Sequence, residues 1–197
     1  HDHFNGSPEP IIWIDGTDLP MVKFFEISFG DMYPTLQQEV TKPRDYSTHE
    51  LGPARPAWVA SESVQPPPYR YPWEDTKKAL TVLGERPGDP HDGIVLRYIN
   101  PVTGGPTLPT LSCEIHMLRP GEATQSHRHT SSMIYHAFRG GAVTTIGNTI
   151  FEWNEGDSFT IPQWQWHNHV NRSKDAAILF VMNDKPVHDA LGFYREE

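Results

Sequence analysis

The hydrophobic pattern changes to a period of two after residue 93. Residues 94–99 (IVLRYI) and 111–118 (LSCEIHML) alternate, and the second segment places four apolar side chains on one face: Leu111, Cys113, Ile115 and Met117. Such alternation predicts β-strands. Turn signals then recur before a last apolar strand at residues 176–182, namely Pro120-Gly121, Gly140-Gly141, Gly147-Asn148 and Gly156-Asp157. Short strands with regularly spaced turns predict an all-β barrel or sandwich.

The residues before 93 have a different pattern. A short helix is predicted from residue 20 to near residue 30, because a proline at its start and a glycine at its end are typical helix boundaries. Residues 41–71 are rich in proline and small polar residues, which predicts a connector. A second helix is predicted over residues 73–83, with Pro72 at its entry and Gly84 at its exit.

Residues 1–20 resemble residues 167–186 when the two segments are aligned without gaps. The seven identical pairs are His1/His167, His3/His169, Asn5/Asn171, Ser7/Ser173, Ile12/Ile178, Asp18/Asp184 and Pro20/Pro186. Ordinary composition gives roughly one or two identities over such a length, so the segment is interpreted as part of a duplicated unit. The alternative is a chance resemblance of two strand-and-turn segments. If His1 copies His167, the remainder of the first copy lies upstream of residue 1, and the sequence is expected to begin inside a first domain.

Composition excludes several classes of partner. The formal net charge is −9 with a pI near 5.6, and no stretch gathers Lys and Arg, so neither nucleic acid nor a membrane surface is expected. The longest apolar run, residues 176–182, is far shorter than the roughly 18 residues that span a bilayer. The single cysteine, Cys113, excludes an intramolecular disulfide and fits a reducing compartment, so a cytoplasmic protein is expected.

The chemically most informative feature is a His-x-His pair, His127 and His129. On a strand, both imidazoles point to the same face. The surrounding residues follow a two-part spacing in which glycines set the turns and a third histidine joins the pair inside a barrel: Gly121, Gly140, Gly156, Pro162, His167 and Asn171. We therefore predict one divalent metal ion on His127, His129 and His167. Imidazole ligands suit Fe(II), Ni, Cu and Zn, so the ligand type alone leaves the metal open.

This spacing resembles that of the cupin superfamily over about a hundred residues. The resemblance implies an all-β cupin fold, a double-stranded β-helix or jelly-roll barrel, with short linker helices before it. Two positions depart from the cupin pattern, because Met133 stands where many cupins carry a fourth ligand, Glu, and Trp164 stands where they carry Gly. Three neutral imidazoles leave coordination positions open for an anionic substrate and dioxygen.

Most of the chain resembles the C-terminal part of a gentisate 1,2-dioxygenase-type bicupin, from the ring-cleaving family that includes salicylate and 1-hydroxy-2-naphthoate dioxygenases. The matching stretches are IWIDGTDLP at 12–20, PWEDTKKAL at 72–80, NPVTGG at 100–105, HRHTSS at 127–132 and WHNH at 166–169. The resemblance implies three parts. Residues 1–20 would be the tail of an N-terminal cupin, residues 21–92 a linker with short helices, and residues 93–197 the C-terminal cupin barrel.

The resemblance also implies a reaction. An Fe(II)-dependent dioxygenase of this kind opens the ring of a hydroxybenzoate between the carbons that carry the carboxylate and the neighbouring hydroxyl, and gentisate would give maleylpyruvate. His1 would be the third iron ligand of the N-terminal cupin, His3 a residue that hydrogen-bonds the substrate, and Asp15 an acid near the aromatic ring. The partners implied are a small aromatic acid, dioxygen and further copies of the chain, as a tetramer.

The two copies differ at one position of interest, since the repeat aligns Asp15 with Val181. The C-terminal cupin thus keeps three histidines and lacks the acid, so it is expected to hold metal without necessarily turning over substrate. A non-catalytic cupin, in which the metal stabilises a structural or assembly module, is the alternative function. His169, which aligns with His3, is a better candidate for a supporting role beside the metal than Trp164 and Trp166, which flank His167.

Overall fold

The structure is a computed structural model that describes residues 3–50, 58 and 69–197. His1 lies outside these ranges, as does much of the predicted connector at residues 41–71. Four helices occur in the described residues: α1 (Leu19–Phe24), α2 (Tyr46–Glu50), α3 (Trp73–Leu83) and α4 (Lys185–Leu191). The strands are β1 (Ile94–Arg97), β2 (Ser112–Leu118), β3 (Met133–Arg139), β4 (Ala142–Ile146), β5 (Thr149–Trp153), β6 (Ser158–Ile161), β7 (His167–Val170) and β8 (Ala177–Asn183).

The strands form two antiparallel sheets, which confirms the predicted all-β architecture. The larger sheet has the order β1-β2-β8-β3-β6 and the smaller sheet has the order β5-β4-β7. A buried cluster that includes Leu118, Tyr135, Trp153 and Val181 fills the space between them. Because β2, β3 and β8 contribute side chains to this cluster, the barrel interior is a packed core with a polar region at the end near β7.

The outer face of the larger sheet is also covered. Helix α3 packs Leu80 against Ile94, Ile115 and Ile178. The alternating apolar side chains of β2 therefore face α3, whereas Leu118 and the polar residues that share its face point into the barrel. Strand β2 is buried on both faces for this reason.

The helix predicted over residues 73–83 is confirmed, with Pro72 and Gly84 as its capping residues. The helix predicted from residue 20 to near residue 30 was wrong in its length, because α1 ends at Phe24. Glu26 adopts a left-handed backbone with φ of 54°, and a right-handed helix cannot continue through such a residue.

The aligned segments share a turn and a helix. Asn5 Oδ1 accepts the backbone N–H and the hydroxyl of Ser7 at 2.9 and 2.8 Å. Asn171 Oδ1 accepts the same two groups of Ser173 at 2.9 and 2.8 Å. Downstream, α1 and α4 both follow an aspartate and carry a proline in their first turn. These matches extend the sequence repeat into the structure.

The strands of the repeat are not shared. Residues 11–17, which align with β8, form no strand, because a β ladder needs a neighbouring strand and none in the described part of the chain pairs with them. Ile12 is consequently 94% exposed, whereas its counterpart Ile178 is 7% exposed.

A search of the described helices for one that is long and apolar enough to cross a membrane found none.

Candidate metal centre

His127, His129 and His167 converge at one end of the barrel. His127 and His167 face each other across a β-bridge, with the N–H of His127 donating to the His167 carbonyl at 3.0 Å and the reverse bond at 2.9 Å. His129 lies two residues on, in the same extended segment, which is joined to its neighbours by isolated bridges. One ligand atom from each of the three residues lies within 4.8 Å of the others. Two ligands about 2.0–2.2 Å from one ion are separated by up to about 4 Å, so the cluster, with its 4.8 Å limit, is close to the dimensions of a single-ion site and slightly wider.

The outer nitrogen of each ring is held by a hydrogen-bond acceptor. His129 Nδ1 lies 2.8 Å from the Ser131 carbonyl, and His167 Nδ1 lies 2.9 Å from the Gln165 carbonyl. His127 Nδ1 lies 3.4 Å from Glu196 Oε1. An acceptor at Nδ1 keeps the proton there, so Nε2 of each ring carries a lone pair directed into the site.

The three Nε2 atoms are buried and have no hydrogen-bond partner among the described residues. The rings are only 1–2% exposed, and burial lowers the pKa of His167 to about 3 and also lowers the pKa of His129. Neutral imidazoles with converging, unpaired lone pairs are the donor set that a divalent transition metal requires. The residues present therefore fit the metal ion that the sequence pattern predicts.

His169 lies beside the cluster but is anchored differently. Its Nδ1 lies 2.8 Å from the hydroxyl of Thr144, which already accepts the indole N–H of Trp153 at 2.9 Å. The Thr144 proton is therefore available to His169 Nδ1, which places the imidazole proton on Nε2. That nitrogen is also buried and has no partner among the described residues. His169 thus presents a hydrogen-bond donor to the site where the other three histidines present lone pairs.

A C-terminal segment crosses the outside of the site. Arg128 and Glu197 exchange backbone hydrogen bonds at 2.9 and 3.0 Å, and this pairing brings Glu196 to His127. Tyr194 donates its hydroxyl to Glu196 Oε2 at 2.7 Å. Burial alone would raise the pKa of Glu196, but this hydrogen bond and the contact with His127 outweigh it and lower the pKa. Glu196 is therefore an anionic acceptor behind His127.

Arg97 and Arg128, the first on β1 and the second between two of the histidine ligands, are both paired. Arg97 donates to Glu114 at 3.0 Å. Arg128 donates to Glu197 at 2.9 and 2.6 Å and lies over the rings of Trp164 and Trp166. The tryptophans that flank His167 therefore pack against a salt bridge at the surface.

His3 and Asp15, the residues predicted to be catalytic in the first copy, line one exposed cleft. The His3 ring stacks on Trp13 with centroids 4.6 Å apart. This cleft is separate from the histidine cluster. His1, predicted as a ligand of the first copy, lies outside the described residues.

Two carboxylates near the cluster were missed by the sequence reasoning, Asp92 and Glu196. Asp92 Oδ1 lies 3.7 Å from His127 Nε2, and Glu196 Oε1 lies 3.4 Å from Nδ1, the other nitrogen of the same ring. Neither follows a spacing relative to the His-x-His pair, because Asp92 lies in the turn before β1 and Glu196 lies after α4. The only sequence signal is the position of Asp92 next to Gly93, at the first residue of the barrel.

The fold and the histidine cluster together define a cupin, and the family model described as "Cupin domain" matches residues 114–183. Over its full length the chain is 41% identical to a 5-aminosalicylate 1,2-dioxygenase from Comamonas sp, of which it covers 53%. It is 35% identical to gentisate 1,2 dioxygenase 1 from Aquipseudomonas alcaligenes, of which it covers 56%. The chain therefore spans about half the length of the curated relatives that it matches.

Solved structures agree with these relatives. The crystal structure of a salicylate 1,2-dioxygenase from Pseudaminobacter salicylatoxidans superposes with a TM-score of 0.77 at 28% identity, over 91% of this chain and 53% of that one. The chain belongs to the gentisate 1,2-dioxygenase-type family of bicupins.

Proposed function

We propose that the protein to which this chain belongs is a metal-dependent dioxygenase that cleaves the ring of a hydroxybenzoate-type acid. Fe(II) is the proposed metal, and gentisate, opened to maleylpyruvate, is the proposed substrate. The observation that carries this proposal is the set of three buried Nε2 lone pairs on His127, His129 and His167, in a chain whose relatives are named as aromatic-acid dioxygenases. When bound, the metal supplies a Lewis acid and a redox centre for the reaction of the ring with dioxygen.

The chain's own residues contribute orientation and proton control. Acceptors at Nδ1 hold the three ligand rings in one orientation, which is how outer contacts tune a metal site. The Nε2–H of His169 is a donor for a group bound beside the ligands. Burial lowers the pKa of His169 well below that of a free histidine, so this ring stays neutral and keeps a single proton at physiological pH.

We further propose that His3 and Asp15 act in the first copy, with His1 as a ligand there. Residues 1–20 would be the tail of an N-terminal cupin, residues 21–92 the linker with short helices and residues 93–197 the C-terminal cupin barrel. The shared turn of Asn5 and Asn171 supports this division. A homo-oligomeric, tetrameric assembly is proposed from the family resemblance, and a cytoplasmic location from the single cysteine, Cys113.

A second candidate function is a cupin barrel whose metal is structural. It is favoured by one observation, the 1–2% exposure of all three histidine ligands, because catalytic metal sites keep a position open to substrate. The two functions are compatible if the first copy carries the reaction and the second copy carries a structural ion.

Oxygen consumption by the whole protein tests the proposal. The protein is purified without metal, and oxygen uptake with gentisate, salicylate and 5-aminosalicylate is recorded before and after Fe(II) is added. Uptake that requires both Fe(II) and an aromatic acid is expected. Metal binding without oxygen uptake on any of the acids would contradict the enzymatic function and leave the structural one.

A further inference from the structure

The carboxylate of Asp92 faces the same interior space as the histidine ligands. Its Oδ1 atom lies 3.7 Å from His127 Nε2. An oxygen of Asp92 and one nitrogen each of His167 and His169 also lie within 4.8 Å of one another. Asp92 Oδ1 is buried and has no hydrogen-bond partner among the described residues. It therefore lies close to ligand atoms of His127 and His167 and, like the Nε2 atoms of the three histidine ligands, has no donor among the described residues.

A rigid turn holds Asp92 in this position. Asp89 and Gly93 exchange backbone hydrogen bonds at 2.7 and 3.0 Å, and Asp89 Oδ1 accepts the N–H groups of His91 and Asp92 at 2.8 and 3.2 Å. Gly93 has a φ of +77°, and a Cβ at this position would lie 2.8 Å from the Met117 carbonyl. Because the backbone determines the turn, the carboxylate is directed inwards by the fold itself.

A buried carboxylate oxygen beside several nitrogen lone pairs is electrostatically unfavourable. The Asp92 oxygen and the Nε2 atoms of His127, His129 and His167 are all acceptors, and each one without a donor or cation costs free energy. A cation bound among these acceptors would interact favourably with each of them and so remove the unfavourable electrostatics. Neighbouring His116 compensates the Asp92 carboxylate only in part. Its Nδ1 is 3.7 Å from Asp92 Oδ1, which is beyond hydrogen-bonding distance, and its Nε2 lies 3.1 Å from Glu114.

We propose that Asp92 is a fourth protein ligand of the metal ion held by His127, His129 and His167, which rests on the metal site proposed above. It supplies from the turn before β1 the carboxylate that β3 lacks, since Met133 occupies the position where many cupins carry a glutamate. One carboxylate and three neutral imidazoles reduce the charge of a divalent site from +2 to +1. A fourth protein ligand also closes a position that a substrate would otherwise use, which is the arrangement of a structural metal site.

Metal binding by the full chain tests the role of Asp92 without any enzyme assay. Asp92→Asn keeps the size of the side chain and removes the anionic ligand, and Asp75→Asn, on the exposed surface of α3, is the control for the same change of net charge. Co(II) serves as the probe, with affinity measured by competition with a chelator and coordination followed in the visible absorption spectrum. His129→Ala is included to locate the site.

We expect one Co(II) per wild-type chain, none in His129→Ala, and affinity lower by about 100-fold or more in Asp92→Asn, which exceeds most losses of an outer partner. The Co(II) spectrum should change in Asp92→Asn and not in Asp75→Asn. Unchanged affinity and spectrum in Asp92→Asn, with binding still lost in His129→Ala, would overturn the fourth ligand and leave the histidine site intact. A wild-type chain that takes up no Co(II) would overturn both.

Stability without metal separates a ligand from a partner of His116. If Asp92 is a ligand, removing its charge relieves repulsion in the metal-free protein, so metal-free Asp92→Asn should melt at the wild-type temperature or above it. A lower melting temperature together with unchanged Co(II) affinity would show that Asp92 serves only as the ionic partner of His116, and the proposal would fail.

Discussion

Gly16 and Met182 pack directly against each other, although they are the same position in the two aligned segments. A Cβ built on Gly16 would overlap the sulfur atom of Met182. The residues around this contact are also paired by the repeat, since Asp18 and Asp184 line the same groove. Equivalent positions of the two aligned segments therefore lie in contact at Gly16 and Met182.

This contact predicts a measurable coupling. Gly16→Ala should destabilise the chain by about 1 kcal/mol, because the added methyl group must displace the flexible Met182 side chain. Combined with Met182→Ala, the same substitution should cost almost nothing. Urea unfolding of the two single variants and the double variant gives the coupling energy, which we expect to be at least about 0.5 kcal/mol.

The control for this cycle is Gly30→Ala. Gly30 has open space around the position of a Cβ, so this variant reports only the effect of alanine on the unfolded chain, which is neutral or slightly stabilising. Additive effects of Gly16→Ala and Met182→Ala would show that the two residues do not contact each other in solution.

A second prediction compares the two equivalent asparagines of the repeat. Asn171 is fully buried, and its Nδ2 donates to the carbonyls of Leu118, Arg119 and Asp175 at 3.1, 3.1 and 2.8 Å. Asn5 is exposed and makes only the local turn. Asn171→Ala should therefore cost about 3 kcal/mol or more and Asn5→Ala less than about 1 kcal/mol in this chain. Thermal unfolding of both variants measures the difference, and equal losses would contradict the structural inequality of the two copies.

The series of short strands and the histidine cluster were predictable in outline because turns and alternation are local signals. The orientation of β2 was not. Its alternating pattern places Ile115 and Met117 on one face, yet that face packs under α3, while Glu114 and His116 point into the barrel. Period two identifies two faces and cannot say which is interior when both are covered.

The carboxylates of the site were hidden for a related reason. Asp92 and Glu196 reach His127 from opposite ends of the barrel sequence, so their approach depends on strand pairing and on the course of the C-terminal segment. No spacing in the sequence encodes such contacts. The three histidine ligands could be predicted from the sequence for two reasons. His127 and His129 are two residues apart in a period-two segment, and His167 follows a turn pattern of known spacing.

The C-terminal segment provides a third prediction. Glu196 accepts from His127 Nδ1 and so acts as a positioning residue for that ring. Glu196→Ala should lower the affinity for Co(II) or Zn(II) by about 10-fold, as loss of an outer acceptor does. The side chain of its neighbour Glu197 pairs with Arg128 instead, so Glu197→Ala should change the affinity less than about twofold. Isothermal titration with each metal compares them, and equal losses would assign the effect to detachment of the whole segment.

A fourth prediction concerns acid stability. Burial alone would raise the pKa of Glu114, but hydrogen bonds from His116 and Arg97 outweigh it and lower the pKa to about 2. A carboxylate with a depressed pKa stabilises the folded state above its unfolded pKa, and this contribution disappears as the pH falls through the folded value. The free energy of unfolding should therefore decrease between about pH 4.5 and pH 2, by on the order of 3 kcal/mol.

Urea unfolding across this pH range, without metal, measures the decrease. Glu114→Gln should lose the contribution of Glu114 to the pH dependence of the free energy of unfolding. This variant should already be less stable than wild type at pH 6. Glu85→Gln, on the exposed loop after α3, should keep the wild-type pH profile. A Glu114→Gln profile parallel to wild type would show that Glu114 does not titrate differently in the folded state.

The last prediction concerns the difference between Asp15 and Val181 and depends on the proposed ring cleavage. A carboxylate beside a bound ring can accept or donate a proton as charge develops, which is typically worth about 10²- to 10⁴-fold in rate, and valine cannot. In the whole protein, Asp15→Ala should lower the kcat of oxygen consumption about 100-fold or more. Val181 is a buried core residue of β8, so Val181→Ala should cost about 0.5–2 kcal/mol of stability and change kcat little. Both are assayed at matched iron content. Equal loss of activity would show that the asymmetry of the two copies has no role in catalysis, and full activity of Asp15→Ala would remove that carboxylate from the reaction.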